Sequence, residues 1–119
     1  MRIRLAVWGA FLLCGCLLLT GCKTNLGDFT VLSSKNVNLA NFSNSKAEES
    51  GEKTRGEDVV HLICGFATGT PNLKTAVDRA LESTDAYMLT NARLTYERFS
   101  FIVYGQAKFV VEGTPVRRR

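Results

Sequence analysis

The chain of 119 residues contains one histidine, His61, and four cysteines, three of them within the first 22 residues. These shortages exclude much of the chemistry open to a small protein. A structural zinc site takes four ligands, mostly Cys and His, yet beyond Cys22 only His61 and Cys64 are of those types. Three positions apart on a strand, those two point to opposite faces. A histidine on a sheet face and a cysteine in the core are the expected roles, and no metal site is predicted. One histidine inside an apolar strand makes no Ser-His-Asp arrangement either. Residues Gly65 to Pro71 place glycines before a helix, but Pro71 and Asn72 stand where a phosphate-binding loop needs Lys and Ser or Thr. Asp78 and Glu82 share a polar helical face at i and i+4, and with Asp85 they show no pattern of acid-base work, which needs a pocket and shifted pKa values. No catalytic residue and no cofactor is expected.

Charge is also short where it would matter most. Fifteen basic residues face eleven acidic ones, a formal net charge of +4. Five of the basic residues lie at the extremes, Arg2 and Arg4 at one and Arg117, Arg118 and Arg119 at the other, so the middle of the chain is close to neutral. A nucleic-acid partner needs basic residues clustered on a folded face, and none is predicted. The terminal arginines are expected to form a short solvated tail, with anionic lipid headgroups as their other use.

What the chain does have is an apolar start. Residues 5–18, LAVWGAFLLCGCLL, are free of charge and follow directly on Arg2 and Arg4. A transmembrane helix needs about 20 apolar residues, and here the polar Lys23 and Asn25 intervene without a basic stop-transfer cluster. A positive flank, a short apolar core and small residues at its end are the pattern of an export signal. The run closes in Leu19-Thr20-Gly21-Cys22, which resembles the lipobox of bacterial lipoproteins. Cys14 follows two bulky leucines, and a cut before Cys16 would leave a core near the lower limit for a signal, so Cys22 is the cysteine that fits.

The resemblance implies cleavage after Gly21, a diacylglyceryl thioether on Cys22 and, in many Gram-negative bacteria, a further acyl chain such as palmitate on its amine. At about 0.8 kcal/mol per buried methylene, two or three chains make an anchor that does not readily dissociate. By the sorting pattern of such lipoproteins, Lys23 in place of Asp leans toward the outer membrane, with the domain in the periplasm of the cell envelope. Removal of residues 1–21 leaves 98 residues, enough for one small domain. Thirteen basic residues then face eleven acidic ones, a net charge near +2. With Cys22 acylated, Cys64 is the only thiol and no internal disulfide is possible.

Residues 22–28 are expected to be the acylated cysteine and a polar tether, and residues 29–114 the domain. Phe29 and Val31 begin a first strand running irregularly toward Val37 and Leu39. Residues 43–58, SNSKAEESGEKTRGED, have too little apolar surface to offset their ordering entropy and are expected to form a mobile loop. VVHLICGF, residues 59–66, reads as a central strand with Val60, Leu62, Cys64 and Phe66 on its better apolar face. Thr70 and Pro71 suit an N-cap and a first helical position. From there to Ser83, Leu73, Ala76, Val77, Ala80 and Leu81 follow one helical stripe. Residues 88–96 alternate as a strand, Glu97 to Ser100 turns the chain, and residues 101–113 form a last strand with Gly105 at a bulge or close approach. Residues 115–119 are left as a basic tail.

The predicted fold is therefore α+β: an antiparallel sheet of about four strands in the order β-β-α-β-β, one amphipathic helix on one face, and an N-terminal signal helix before it. With its A-x-x-x-A helix after Pro71 and its close in Tyr104 to Gly113, the mature part resembles the small lipoprotein domains of Gram-negative envelopes. The expected function is non-enzymatic: a lipid-anchored protein acting through contact with an envelope protein partner, as an accessory or assembly factor. The alternatives are capture of a small molecule or anion at the helix N-terminus, at Gly69 and Thr70, and immunity or exclusion against a toxin or phage. Among Tyr87, Tyr96, Phe99, Phe101 and Tyr104, core and contact residues are not separable by sequence. A closed cavity with convergent polar groups would favour a ligand; a free strand edge or exposed aromatic patch would favour a partner.

Overall fold

The computed structural model describes residues 2–16, 20–37, 47–49 and 51–118. Along the chain come helix α1 (Arg2–Cys16), strands β1 (Thr20–Leu32), β2 (Ala47–Glu49), β3 (Thr54–Ile63) and β4 (Phe66–Ala67), helix α2 (Leu73–Glu82), and strands β5 (Met88–Ser100) and β6 (Tyr104–Arg118). The α+β class with an antiparallel sheet and a packed helix holds, but the sheet has six strands, in the order β1-β5-β6-β3-β4 with β2 also on β6. The short strands β2 and β4 are the additions to the expected count.

The helical stripe behaves as its spacing requires. Ala76, Val77, Ala80 and Leu81 are buried, and with Ala86, Leu89, Ala92, Leu94 and Val111 they form the core. Small residues let α2 lie close on the sheet. Gly56 of β3 is directly beneath it, where an added Cβ would overlap the Ala76 carbonyl oxygen and the Ala80 backbone nitrogen. The helix begins later than expected: Asn72, not Thr70, is the N-cap, its Oδ1 accepting from the Lys74 N–H at 2.9 Å.

Register explains the other departures. Residues 22–28 are not a tether but part of β1, paired from Thr20 opposite Ser100 to Leu32 opposite Leu89. Of the expected loop, residues 47–49 form β2 and residues 54–58 open β3, while residues 43–46 and 50 lie outside the described residues, as does Leu39. Thr54, Arg55, Gly56, Glu57 and Asp58 alternate between the helix side and the open face, so a charged stretch forms a strand without large apolar side chains. Residues 97–100 continue β5, and the turn falls at residues 101–104, closed by the Phe101 N–H donating to the Tyr104 carbonyl at 2.7 Å. Cys64 is exposed, because β3 stops at Ile63 and the chain turns through Cys64 (φ 50°) and Gly65 (φ 83°) before β4.

The C-terminal residues are no free tail as far as Arg118, for β6 pairs Val116, Arg117 and Arg118 with β2. Pro115 lies in a central strand, where its missing N–H would ordinarily break a ladder. It falls between the last β3 pair, Thr54 with Gly113, and the first β2 pair, Glu49 with Val116. Gly105 is buried at a close approach, 2.8 Å separating an ideal Cβ from the Phe99 carbonyl oxygen. An extra residue bulges β5 at Asn91 (φ 49°), letting Leu89 and Ala92 both join the core.

Helix α1 exposes Ile3, Val7, Trp8 and Leu12. No helix among the described residues is long and apolar enough to cross a membrane. The molecule measures 79 Å along its long axis. A 15-residue strand reaches only about 50 Å, and a 15-residue helix adds about 22 Å, so α1 extends from the sheet instead of folding over it.

Candidate functional site

The residues singled out by the lipobox resemblance lie at one end of the sheet. Leu19 is outside the described residues; Thr20, Gly21 and Cys22 pair with Ser100, Phe99 and Arg98. Cys22 is exposed, its Sγ 3.6 Å from Thr24 Oγ1. Cys64 is reached only across β5, β6 and β3, about three strand spacings or 14 Å away, too far for a disulfide. Lys23, the residue next to the anchor candidate, is held 3.0 Å from Glu97.

That ion pair begins a pattern visible only once the register is known. Lys23, Glu97 and Lys108 face one another across β1, β5 and β6, with Lys108 3.1 Å from Glu97. Asp28, Arg93, Glu112 and Arg55 make a second rung across β1, β5, β6 and β3, with 2.8 Å between Arg93 and Asp28 and 3.5 Å between Arg55 and Glu112. Glu57 joins the rungs, 3.3 Å from Arg55 and 3.7 Å from Lys108. Alternating signs on adjacent strands stabilise a sheet. Hydrogen bonds from Lys23 and Lys108 hold the Glu97 carboxyl below its ordinary pKa, and the hydrogen bond to Asp28 raises that of Arg93. Four positive and four negative side chains leave this open face balanced, which suits solvent better than a charged ligand.

The helix start is equally settled by internal groups. Gly69 and Thr70 are exposed and precede the cap. The first free N–H there, that of Asn72, donates to Asp58 Oδ2 at 2.8 Å, and Arg79 lies 3.1 Å from Asp58 Oδ1. A carboxylate from β3 therefore stands where an anion would bind, and repels one. Lys74 and Ser34 both hydrogen-bond Asp78 and hold its carboxyl below the ordinary range, Lys74 having the larger effect. That pairing is structural.

His61 and Cys64 do not meet as a site. His61 Nδ1 hydrogen-bonds the Tyr104 hydroxyl at 2.8 Å, while the Cys64 N–H donates to the Val103 carbonyl at 2.9 Å. Among the described residues no group of three His, Cys, Asp or Glu could hold a metal. The candidate aromatics divide: Tyr96 packs on Phe109 with ring centroids 5.2 Å apart and planes tilted by 51° and, with Tyr87 and Phe99, is half-buried, whereas Phe101 and Tyr104 are exposed. Arg117 is exposed within β6; Arg119 is outside the described residues.

Two surface features bear on contact. One is a free edge: among the described residues β1 pairs only with β5, and its outer side carries the exposed side chains of Leu26, Phe29 and Val31 nearby. An extra residue between Asn25 and Gly27 divides this edge. The other is the apolar hairpin end, with Ile102 and Val103 at its tip. A cleft of about 340 Å³ lies beside β1, but Asp28, Phe29, Lys53, Asn91 and Arg93, which line it, are all exposed, and it forms an open groove. No protein-family model, curated protein or solved structure matches the chain.

Proposed function

We propose that this chain is a non-enzymatic lipoprotein of the bacterial envelope, acylated at Cys22, that acts through protein contact as an accessory or assembly factor. The observation that carries the contact half is the edge of β1, which among the described residues pairs only with β5. Its unpaired backbone groups can add a partner strand, and Phe29 and Val31 supply exposed apolar side chains alongside. The anchor half is supported by the apolar start, by Gly21-Cys22 at the outset of β1, and by α1, whose exposed Ile3, Val7, Trp8 and Leu12 suit an apolar surround.

Ligand capture at Gly69 and Thr70 has less support, since Asp58 already supplies a negative charge there. The contact reading is tested with a photoreactive residue at Phe29 in envelope membranes. The expected result is a discrete adduct that is lost in Val31→Lys and is not formed from a control position at Glu82. An absence of adduct from both Phe29 and Val31, in protein that is correctly anchored, contradicts it.

A further inference from the structure

We propose that the hairpin end of the sheet is a second membrane contact, in which Phe66, Phe101, Ile102 and Val103 enter the interface of the bilayer that holds the acyl chains of Cys22. The bilayer is the occupant that four observations favour, and the placement rests on the anchor reading given above.

The first observation is chemical. Ile102 and Val103 are the two central residues of the turn between β5 and β6, 64% and 57% exposed. Such positions ordinarily take Gly, Asn, Asp or Pro, which satisfy a turn's backbone. Neither residue has a positive φ, so the turn makes no demand that a small polar residue would fail. Two β-branched apolar side chains at a tip in water contribute nothing to the core. They are free to meet an apolar surround.

The second is that the neighbouring turn shares the property and is tied to the first. Phe66, 80% exposed, follows Cys64 and Gly65, and the Cys64 N–H donates to the Val103 carbonyl at 2.9 Å. The two loops thus present one apolar surface, with Ile63 and Tyr104 at its margin. Tyr104, with its hydroxyl bonded to His61 at 2.8 Å, is an amphipathic side chain of the kind enriched at bilayer interfaces.

The third is position. Cys22 faces Arg98, and β1 begins at this same end of the sheet. Ile102 lies four residues beyond Arg98, about 13 Å further along the strand direction. With Cys22 at headgroup level and the strands inclined to the bilayer normal, the tip lies about 5–10 Å deep, where interfacial apolar faces come to rest. One orientation therefore satisfies both the acyl chains and the hairpin.

The fourth is charge. Residues 62–73 and 99–107 contain no charged side chain, and behind them Lys23 and Lys108 are paired with Glu97 and Glu57. An uncharged tip with those charges already paired behind it can enter a bilayer interface without carrying an unpaired charge into it.

Trp8, the chain's only tryptophan, leaves with residues 1–21 when the chain is cleaved after Gly21, and Trp8→Phe keeps an unprocessed chain silent as well. The full chain carrying Trp8→Phe with Ile102→Trp, or with Glu82→Trp as the control, is isolated from membranes and reconstituted into phosphatidylethanolamine and phosphatidylglycerol vesicles with brominated acyl chains. Its acyl state is read independently by intact mass. The expected result is blue-shifted emission quenched at least twofold for Ile102→Trp and unquenched, water-like emission for Glu82→Trp. Water-like, unquenched emission from Ile102→Trp in acylated protein overturns the proposal. So does a blue shift that needs no vesicles, which would place a second copy or another protein on the tip. If the mass shows no acyl group at Cys22, the anchor reading fails, and quenching of Ile102→Trp by added vesicles decides the tip alone. Val103→Trp repeats the measurement should Ile102→Trp not fold.

Discussion

The two ends of the sheet treat apolar side chains in opposite ways. Under and beside α2, Leu81, Met88, Leu89, Val111 and Pro115 are fully buried, and the buried Thr54 hydroxyl donates to the Ala80 carbonyl. At the hairpin end, Ile63, Phe66, Ile102 and Val103 stand more than half exposed. Burial of a Leu or Val side chain is worth about 1.5–3 kcal/mol, so the first end holds the fold together and the second contributes little to it. The difference teaches that stability and contact are separated along the strands of one small sheet. Substitutions should therefore divide by the end they touch.

The largest effect is expected at the helix end. Leu81→Ala removes a fully buried side chain from the core, and urea unfolding should show a loss of about 3 kcal/mol. Gly56→Ala comes next. The atoms its Cβ would overlap belong to the α2 backbone, which cannot turn aside as a side chain can, and a loss of about 2 kcal/mol is expected from overpacking. Should Gly56→Ala unfold at the urea concentration of the parent, α2 does not sit on β3 as described.

A smaller effect follows from two paired carboxylates, Glu97 on the open face and Asp78 on α2. Glu97 and Asp78 ionise more readily folded than unfolded, because their ammonium and hydroxyl partners favour the charged form. Their contribution is fully present above the ordinary carboxylate range and is lost as the pH falls below about 4. Stability should decline in that window, and Glu97→Gln should lessen the decline while lowering stability at neutral pH. An unchanged acid profile for Glu97→Gln would remove the Lys23-Glu97-Lys108 rung from the account. The smallest effect belongs to the hairpin: Ile102→Ser should leave the unfolding free energy within about 0.5 kcal/mol, although Ile102 is as apolar as Leu81. A loss comparable to that of Leu81→Ala would show that the tip is part of the core, and the comparison of ends would fail.

The helix end was also the more legible in the sequence. Ala76, Val77, Ala80 and Leu81 are spaced for one face and are the residues buried there, because a helix against a sheet demands that stripe. Thr54 to Asp58 was obscured because the helix side of β3 is occupied by small Thr54 and Gly56, while the intervening Arg55 and Glu57 are satisfied by cross-strand partners. A strand built this way lacks the alternation of large apolar residues by which strands are read. Residues 22–28 failed as a tether for the same reason: Lys23 and Asp28 find Glu97 and Arg93 only through register.

Cys64 was misplaced by carrying period two through a turn, though Gly65 after it was an available signal. The hairpin gave the opposite difficulty. Phe101-Ile102-Val103-Tyr104 contains no turn residue, so the sequence pointed to a strand where the chain reverses. The missing turn chemistry is itself the trace of the apolar tip. Of the candidate site, Cys22 was singled out by its flanks, whereas the edge of β1, free among the described residues, required the topology.

The measurement that bears most directly on the central claim is the intact mass of the protein extracted from envelope membranes. A chain beginning at Cys22 and carrying a diacylglyceryl group, with or without a further acyl chain, is the result expected. A chain beginning at Met1, or one acylated at Cys16, would contradict it.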